Sequence, residues 1–271
     1  MRIAILQADT IHPNLQADYL SYGNMFQHLL TKAAKQLLPP VTLSFQVFDV
    51  LQGHYPEADA AFDAYLITGS KADSFSDEAW VQQLRAYVQQ AYQQSKVLLG
   101  ICFGHQLIAL ALGGVSARAS QGWGIGSHPY QLQARPSWWN PQLQQVRLLV
   151  SHQDQVQQLP SQAELLLSSE FCPYAAFYIG HQVLCFQGHP EFTPAFAKGL
   201  LATRRERYTP TQLAAALASY AKGHDGELIA LCMLQFVQQA MFIKQAAANQ
   251  PLAEQSSNKE PRLTKGLEIT V

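Results

Sequence analysis

Val97-Leu98-Leu99-Gly100-Ile101-Cys102-Phe103-Gly104-His105-Gln106 decides the fold of this chain. An apolar run enters Gly-x-Cys-x-Gly, and Leu107-Ile108-Ala109-Leu110-Ala111-Leu112 continues as a helix closed by Gly113-Gly114. The pattern predicts a strand, a sharp turn and a helix, with Cys102 at the apex. Glycines two residues either side of the cysteine permit a strained turn that lifts its side chain out of the sheet and keep Cβ atoms out of a crowded site. The N-terminus of the following helix favours an anion at that point. Taken alone, the motif also admits a bland reading, a buried cysteine capping a helix.

Downstream, Val183-Leu184-Cys185-Phe186-Gln187 reads as a buried strand feeding Gly188-His189-Pro190-Glu191-Phe192. Pro190 biases His189 towards an extended backbone. Residues i and i+2 of an extended segment share a side, so His189 and Glu191 can point the same way. A thiol nucleophile needs a base beside it and a third group to orient the base. His189 and Glu191 offer both, although His-Pro-Glu by itself is more commonly a loop histidine beside a solvated glutamate.

With these two segments, Leu66-Ile67-Thr68-Gly69-Ser70, Gln121-Gly122-Trp123-Gly124-Ile125-Gly126 and Ser151-His152-Gln153-Asp154 in order along it, the chain resembles the class I (triad) glutamine amidotransferases, in particular stand-alone relatives of the GMP synthase amidotransferase domain. The resemblance is good from roughly residue 40 to 195 and looser to about 245. It implies a Cys102-His189-Glu191 triad and an oxyanion hole from the amides of Gly69 and Phe103. It also implies substrate contacts from Gln106, one helical turn beyond the cysteine, and from Ser151, His152 and Asp154, the last as partner of an α-ammonium. Gly69 alone is equally an ordinary glycine ending a strand, and Asp154 a residue opening a helix. One departure stands out: relatives in this branch usually continue Gly-Ser-Pro, whereas this chain has Gly69-Ser70-Lys71, so a less rigid loop is expected. His105 reads as a packing histidine pointing away from the thiol, and Trp123 as support for the sheet.

Around this centre, strand-like runs alternate with helical ones. Ile3–Leu6, Leu43–Phe48, Asp63–Thr68 and 97–100 read as strands. Helices are expected over Tyr19–Leu38, with Leu20, Phe26 and Leu30 on one face, and over Asp77–Gln94, with Trp80, Leu84, Tyr87 and Val88 as its stripe. The alternation predicts an α/β fold with a mainly parallel, doubly wound sheet and sites at the strands' carboxyl ends; the resemblance makes it flavodoxin-like. Residues 127–150 and 163–187 read as antiparallel strands and hairpins, followed by C-terminal helices at about 194–206, 210–221 and 226–247. Residues 1–247 form the expected domain. Residues 248–271, polar and containing Ser-Ser-Asn-Lys-Glu-Pro, read as a disordered tail.

Composition narrows the function classes. The 271 residues are 48% hydrophobic and 14% charged, with a net charge of -1, which gives no reason to expect nucleic acid or an anionic membrane as partner. Four scattered cysteines suggest neither a zinc site nor a disulfide framework, and a working thiol suits the reducing cytoplasm. No apolar stretch reads as long enough to span a bilayer, and the N-terminal apolar run is too short for a signal peptide.

The resemblance therefore implies a small-molecule hydrolase acting on a γ-glutamyl amide without metal or organic cofactor. The first expectation is glutamine, with ammonia passed to a synthetase partner chain, because no such domain follows in this chain. The second is a γ-glutamyl peptide or conjugate. The third is a non-catalytic regulatory or binding module of the same fold.

Overall fold

The computed structural model describes residues 1–249. The expected tail lies outside them, apart from its first two positions. In chain order the elements begin with β1 (Arg2–Gln7), α1 (Pro13–Tyr19), α2 (Tyr22–Ala34), β2 (Ser44–Asp49), β3 (Ala64–Ile67) and α3 (Ala79–Gln93). The turn of strand, apex and helix follows as β4 (Leu98–Ile101) and α4 (Phe103–Ala111), then β5 (Val115–Arg118) and β6 (Gly124–Leu132). Next come β7 (Gln145–His152), β8 (Asp154–Gln158), β9 (Glu164–Ser168), β10 (Ala176–Ile179) and β11 (Val183–Phe186). Helices α5 (Pro194–Thr203), α6 (Pro210–Ser219) and α7 (Gly226–Ala248) close the described chain.

The main sheet has the order β2-β1-β3-β4-β11-β10-β9-β6-β7. Its first five strands are mutually parallel, and the remaining pairs are antiparallel, so the sheet is the expected doubly wound one with an antiparallel wing. Strands β3, β4 and β11 are fully buried, as continuous apolar runs covered on both faces should be. One layer, built on Phe26, Leu30 and α7, covers one face; α3 and α4 cover the other through Val81, Leu84, Val88 and Leu107.

Several expectations need correction. The helix expected over Tyr19–Leu38 is two helices broken at Leu20, which has φ 58 and is 61% exposed rather than part of the buried face. Ser21 then caps α2 by accepting the Asn24 amide, the local preference that wins over continued periodicity. Along α3 the buried stripe is Val81, Leu84, Val88 and Ala91, with Trp80 and Tyr87 at its margins. The small β5–β8 sheet was not anticipated. Helix α7, at 23 residues, is long and apolar enough by composition to cross a membrane, contrary to the reading above. Its Ile229, Met233, Phe236 and Val237 are instead fully buried in the core beside α2 and the sheet.

Candidate active site

Three adjacent parallel strands deliver the site. Ile67 of β3 pairs with Gly100 of β4, and Phe186 of β11 pairs with Ile101, so Gly69, Cys102 and His189 all emerge from one carboxyl edge. Cys102 caps α4 at φ 53 and ψ -101, the strained apex that the flanking glycines suggested. Its amide donates to Phe186 O at 2.8 Å, which locks the turn to β11. As the first residue of α4, Phe103 carries an amide with no intrahelical acceptor.

His189 is held from several sides. Its amide donates to Leu149 O at 2.8 Å, and its Nδ1 lies 2.8 Å from Glu191 Oε1. The ring stacks on Phe192 with centroids 3.9 Å apart, a contact that nothing in the sequence had suggested. Nε2 is left for the thiol. A Cβ placed on Gly69 would stand 2.7 Å from His189 Cε1 and 3.6 Å from Cys102 Cβ, so the two side chains border one spot and only glycine leaves room there. Burial, the largest single influence, pushes the His189 imidazole down, but Glu191 and the Cys102 sulfur together outweigh it and raise it to about 10. Both neighbours thus favour the protonated form of the ring.

Cys102 is 5% exposed yet lines a cavity of about 120 Å³. The other cysteines are buried, and burial pushes the thiols of Cys172 to about 12 and Cys232 to about 11. The remaining expected residues gather round the same cavity, except that Gln106 and His152 are already engaged. Gln106 Nε2 donates to Asp154 O at 2.8 Å and to Gln187 Oε1 at 3.1 Å, while Gln187 Nε2 reaches the Cys102 sulfur at 3.6 Å. Gln187, fully buried, was missed as a site residue because it read only as the end of a strand. His152 Nδ1 lies 3.1 Å from Asp154 O, and burial holds its ring down to about 3. Asp154 does not open a helix: it starts β8, and its Oδ1 accepts from Arg118 Nε at 2.6 Å. Arg118 also bridges to Asp73. Burial first, and then Asp73, raise the Asp154 carboxyl to about 6 against the pull of Arg118.

Lys71, the departure from the usual proline, does not loosen its loop. Its amide donates to Asp9 Oδ2 at 2.9 Å and its ammonium to Asp9 Oδ1 at 2.7 Å. Asp9 is 2% exposed, so these donors hold a buried carboxylate. Proline could supply neither. Lys71→Pro is expected to destabilise by about 2 kcal/mol, because a buried acceptor loses two donors, and Lys71→Ala by less than half of that. Urea unfolding of the two variants checks this; equal costs would contradict it.

His105 is, as expected, a packing residue: fully buried against Phe177 with centroids 5.2 Å apart. Burial lowers it to about 3. The unfolded chain takes up that proton near 6.5 and the folded one only near 3. Stability is therefore lost as the pH drops from about 6.5 towards 3, by about 1.4 kcal/mol per pH unit for this one group. His105→Phe should remove that share of the slope between pH 6 and 4, and parallel stability curves would disprove it. Trp123 lies at the cavity rim rather than under the sheet, edge-on to Tyr208 and with the Arg207 guanidinium 5.7 Å from its centroid.

A sulfur, an imidazole, an orienting carboxylate and two neighbouring backbone turns can together open an amide and stabilise the resulting oxyanion. The sequence profile described as "Glutamine amidotransferase class-I" matches residues 24–203. A glutamine amidotransferase-like protein of Schizosaccharomyces pombe is 30% identical over 244 residues, spanning 87% of this chain and 98% of that protein. Gamma-glutamyl peptidase 3 of Arabidopsis thaliana is 31% identical over 70% of this chain and 76% of its own length. The solved structure of a glutamine amidotransferase from Thermotoga maritima, 17% identical, superposes with a TM-score of 0.65 over 88% of this chain and 98% of its own, a likeness of fold.

Proposed function

The chain belongs to the class-I glutamine amidotransferase family, and from that premise we propose that it hydrolyses γ-glutamyl amides through a thioester on Cys102. The observation that carries the proposal is the meeting of Cys102 and the Glu191-held His189 beside Gly69, at the end of three parallel strands.

In the proposed reaction the Cys102 sulfur attacks the δ-carbonyl carbon while its proton resides on His189 Nε2. The Gly69 and Phe103 amides receive the negative charge that develops on the carbonyl oxygen. The C–N bond then breaks, the departing nitrogen takes the proton from His189, and a γ-glutamyl thioester remains. A water, deprotonated by His189, attacks the thioester carbon and returns the sulfur to its starting state. Glu191 keeps Nδ1 occupied, so that Nε2 is the nitrogen facing the chemistry. Gln106, Ser151, His152 and Asp154 hold the glutamyl end; Asp154, already paired with Arg118, contributes half of its acceptor capacity to an α-ammonium.

Two leaving groups fit this scheme. Ammonia from glutamine would serve a synthetase partner chain. An amino acid or peptide amine is the reading we favour, because a second basic cavity adjoins the thiol cleft and several relatives near 30% identity carry the name gamma-glutamyl peptidase. Purified protein given glutamine and a panel of γ-glutamyl dipeptides discriminates them. Amine release exceeding ammonia release supports the favoured reading, ammonia alone supports glutaminase, and no thiol-dependent turnover of either leaves a non-catalytic module.

A further inference from the structure

The thiol cleft does not end at the thiol. A second cavity, of about 310 Å³, lies beside it, and the two share Lys71, Arg204 and Arg207 in their walls. Only the first contains Cys102, Gln106 and Asp154; the second runs towards Asp9, Tyr22 and Leu200.

Charge separates the shared cations. The Lys71 ammonium is matched by Asp9 at 2.7 Å, and Arg118, in the first cavity, by Asp73 and Asp154. Arg204 and Arg207 have no carboxylate partner among the described residues. Arg204 Nη1 donates to Ser151 Oγ at 3.2 Å, which fixes one arm of its fork, and the Arg207 guanidinium is steadied near the Trp123 ring. Two uncompensated guanidinium groups at the junction of two cavities suit a planar anion such as a carboxylate.

The linings of the two cavities tell which end of the substrate meets the arginines. Tyr22, in the wall of the second cavity, packs edge-on to Phe196, which contacts Phe192, which in turn stacks on His189. None of the residues assigned to the glutamyl end lines the second cavity, which leaves it as the space for the departing amine. Gln106 and Asp154, assigned above to the glutamyl end, line the first cavity alone, and Arg204, bonded to Ser151, stands where the two cavities meet.

Resting on the reading of the site as a γ-glutamyl amide hydrolase, we propose that Arg204 and Arg207 form a subsite for a carboxylate borne by the leaving amine. Preferred substrates are then γ-glutamyl amino acids or peptides with a free C-terminal carboxylate. Arg207, at the open rim, sets this preference, and Arg204 supports it from the floor.

The test compares kcat/KM on three compounds: γ-glutamyl-alanine, its C-terminal amide, and the analogue with an amidated glutamyl α-carboxylate. The full chain is used as wild type, Arg207→Gln, Arg207→Lys and Arg204→Gln. The wild type should prefer the free acid over its C-terminal amide by about tenfold or more, expressed mainly in KM. Arg207→Gln should reduce that ratio by about the same factor, and Arg207→Lys should retain part of it. If thiol-dependent hydrolysis is intact but acid and amide react alike, or the ratio survives both glutamine substitutions, the subsite is wrong while the hydrolase reading stands. Loss of discrimination against the α-amide analogue instead would move the arginines to the glutamyl end and overturn the subsite. Absence of turnover on all γ-glutamyl amides would overturn both readings.

Discussion

Replacing Cys102 by alanine is expected to lower kcat for γ-glutamyl amide hydrolysis by about ten-thousandfold or more while leaving the protein folded. The two halves of that expectation have separate causes. In the proposed reaction the sulfur forms the acyl bond, and its neighbours offer no substitute: Gln187 and Gln106 are hydrogen-bond groups, and Cys172 is buried with its proton held up to about 12. Stability depends instead on the backbone, because the residue at this turn sits at φ 53 whatever its side chain. Alanine keeps that strain. Cys102→Gly should relieve it and be more stable than Cys102→Ala by about 1 kcal/mol, and equally inactive. Steady-state rates and urea unfolding of both variants provide the check. Activity within tenfold of wild type in either would remove the nucleophile from the account.

Gly104→Ala should be the most damaging small substitution in the elbow. A Cβ there would stand 2.4 Å from Ile67 O and 2.9 Å from Ile67 Cβ. Both atoms belong to β3, which is fully buried and paired on both sides, so it cannot retreat. The accommodation left is for α4 to lift from the sheet, which carries the Phe103 amide away from Gly69. We expect a loss of about 3 kcal/mol, at the upper end for overpacking, with a fall in Tm of about 10 °C. Activity should fall as well, in kcat more than in KM, since an oxyanion donor acts in the transition state. Thermal unfolding and kinetics on the same sample test the two effects together; a Tm within two degrees or so of wild type would show that the helix tolerates the methyl group.

Much of this arrangement could be read from residue order because its determinants are local. The apolar run, the spaced glycines and the following helix are contiguous, and His189, Pro190 and Glu191 are neighbours, so short-range stereochemistry predicts their geometry. What escaped depends on partners distant in the chain. The Asp9–Lys71 pair, the bridge from Arg118 to Asp73 and Asp154, and the stacking of Phe192 on His189 leave no periodic trace. Nothing in the residue order marked Arg204 or Arg207, and only the fold brings them to the cleft. The break at Leu20 was hidden for a different reason. Apolar spacing continued through it, and only the serine before Tyr22 signalled a new helix cap. Trp123 was misplaced because Gly-Trp-Gly specifies a turn but not the surface that the ring will meet.

The most direct test of the central claim is partitioning of the acyl group in the presence of hydroxylamine. If a γ-glutamyl thioester on Cys102 is common to all substrates, glutamine and each γ-glutamyl peptide that is hydrolysed will give γ-glutamyl hydroxamate and glutamate in one fixed ratio, whatever group has left. A ratio that changes with the leaving group, or hydrolysis with no hydroxamate at saturating hydroxylamine, would mean that water attacks the amide directly and that Cys102 carries no acyl group.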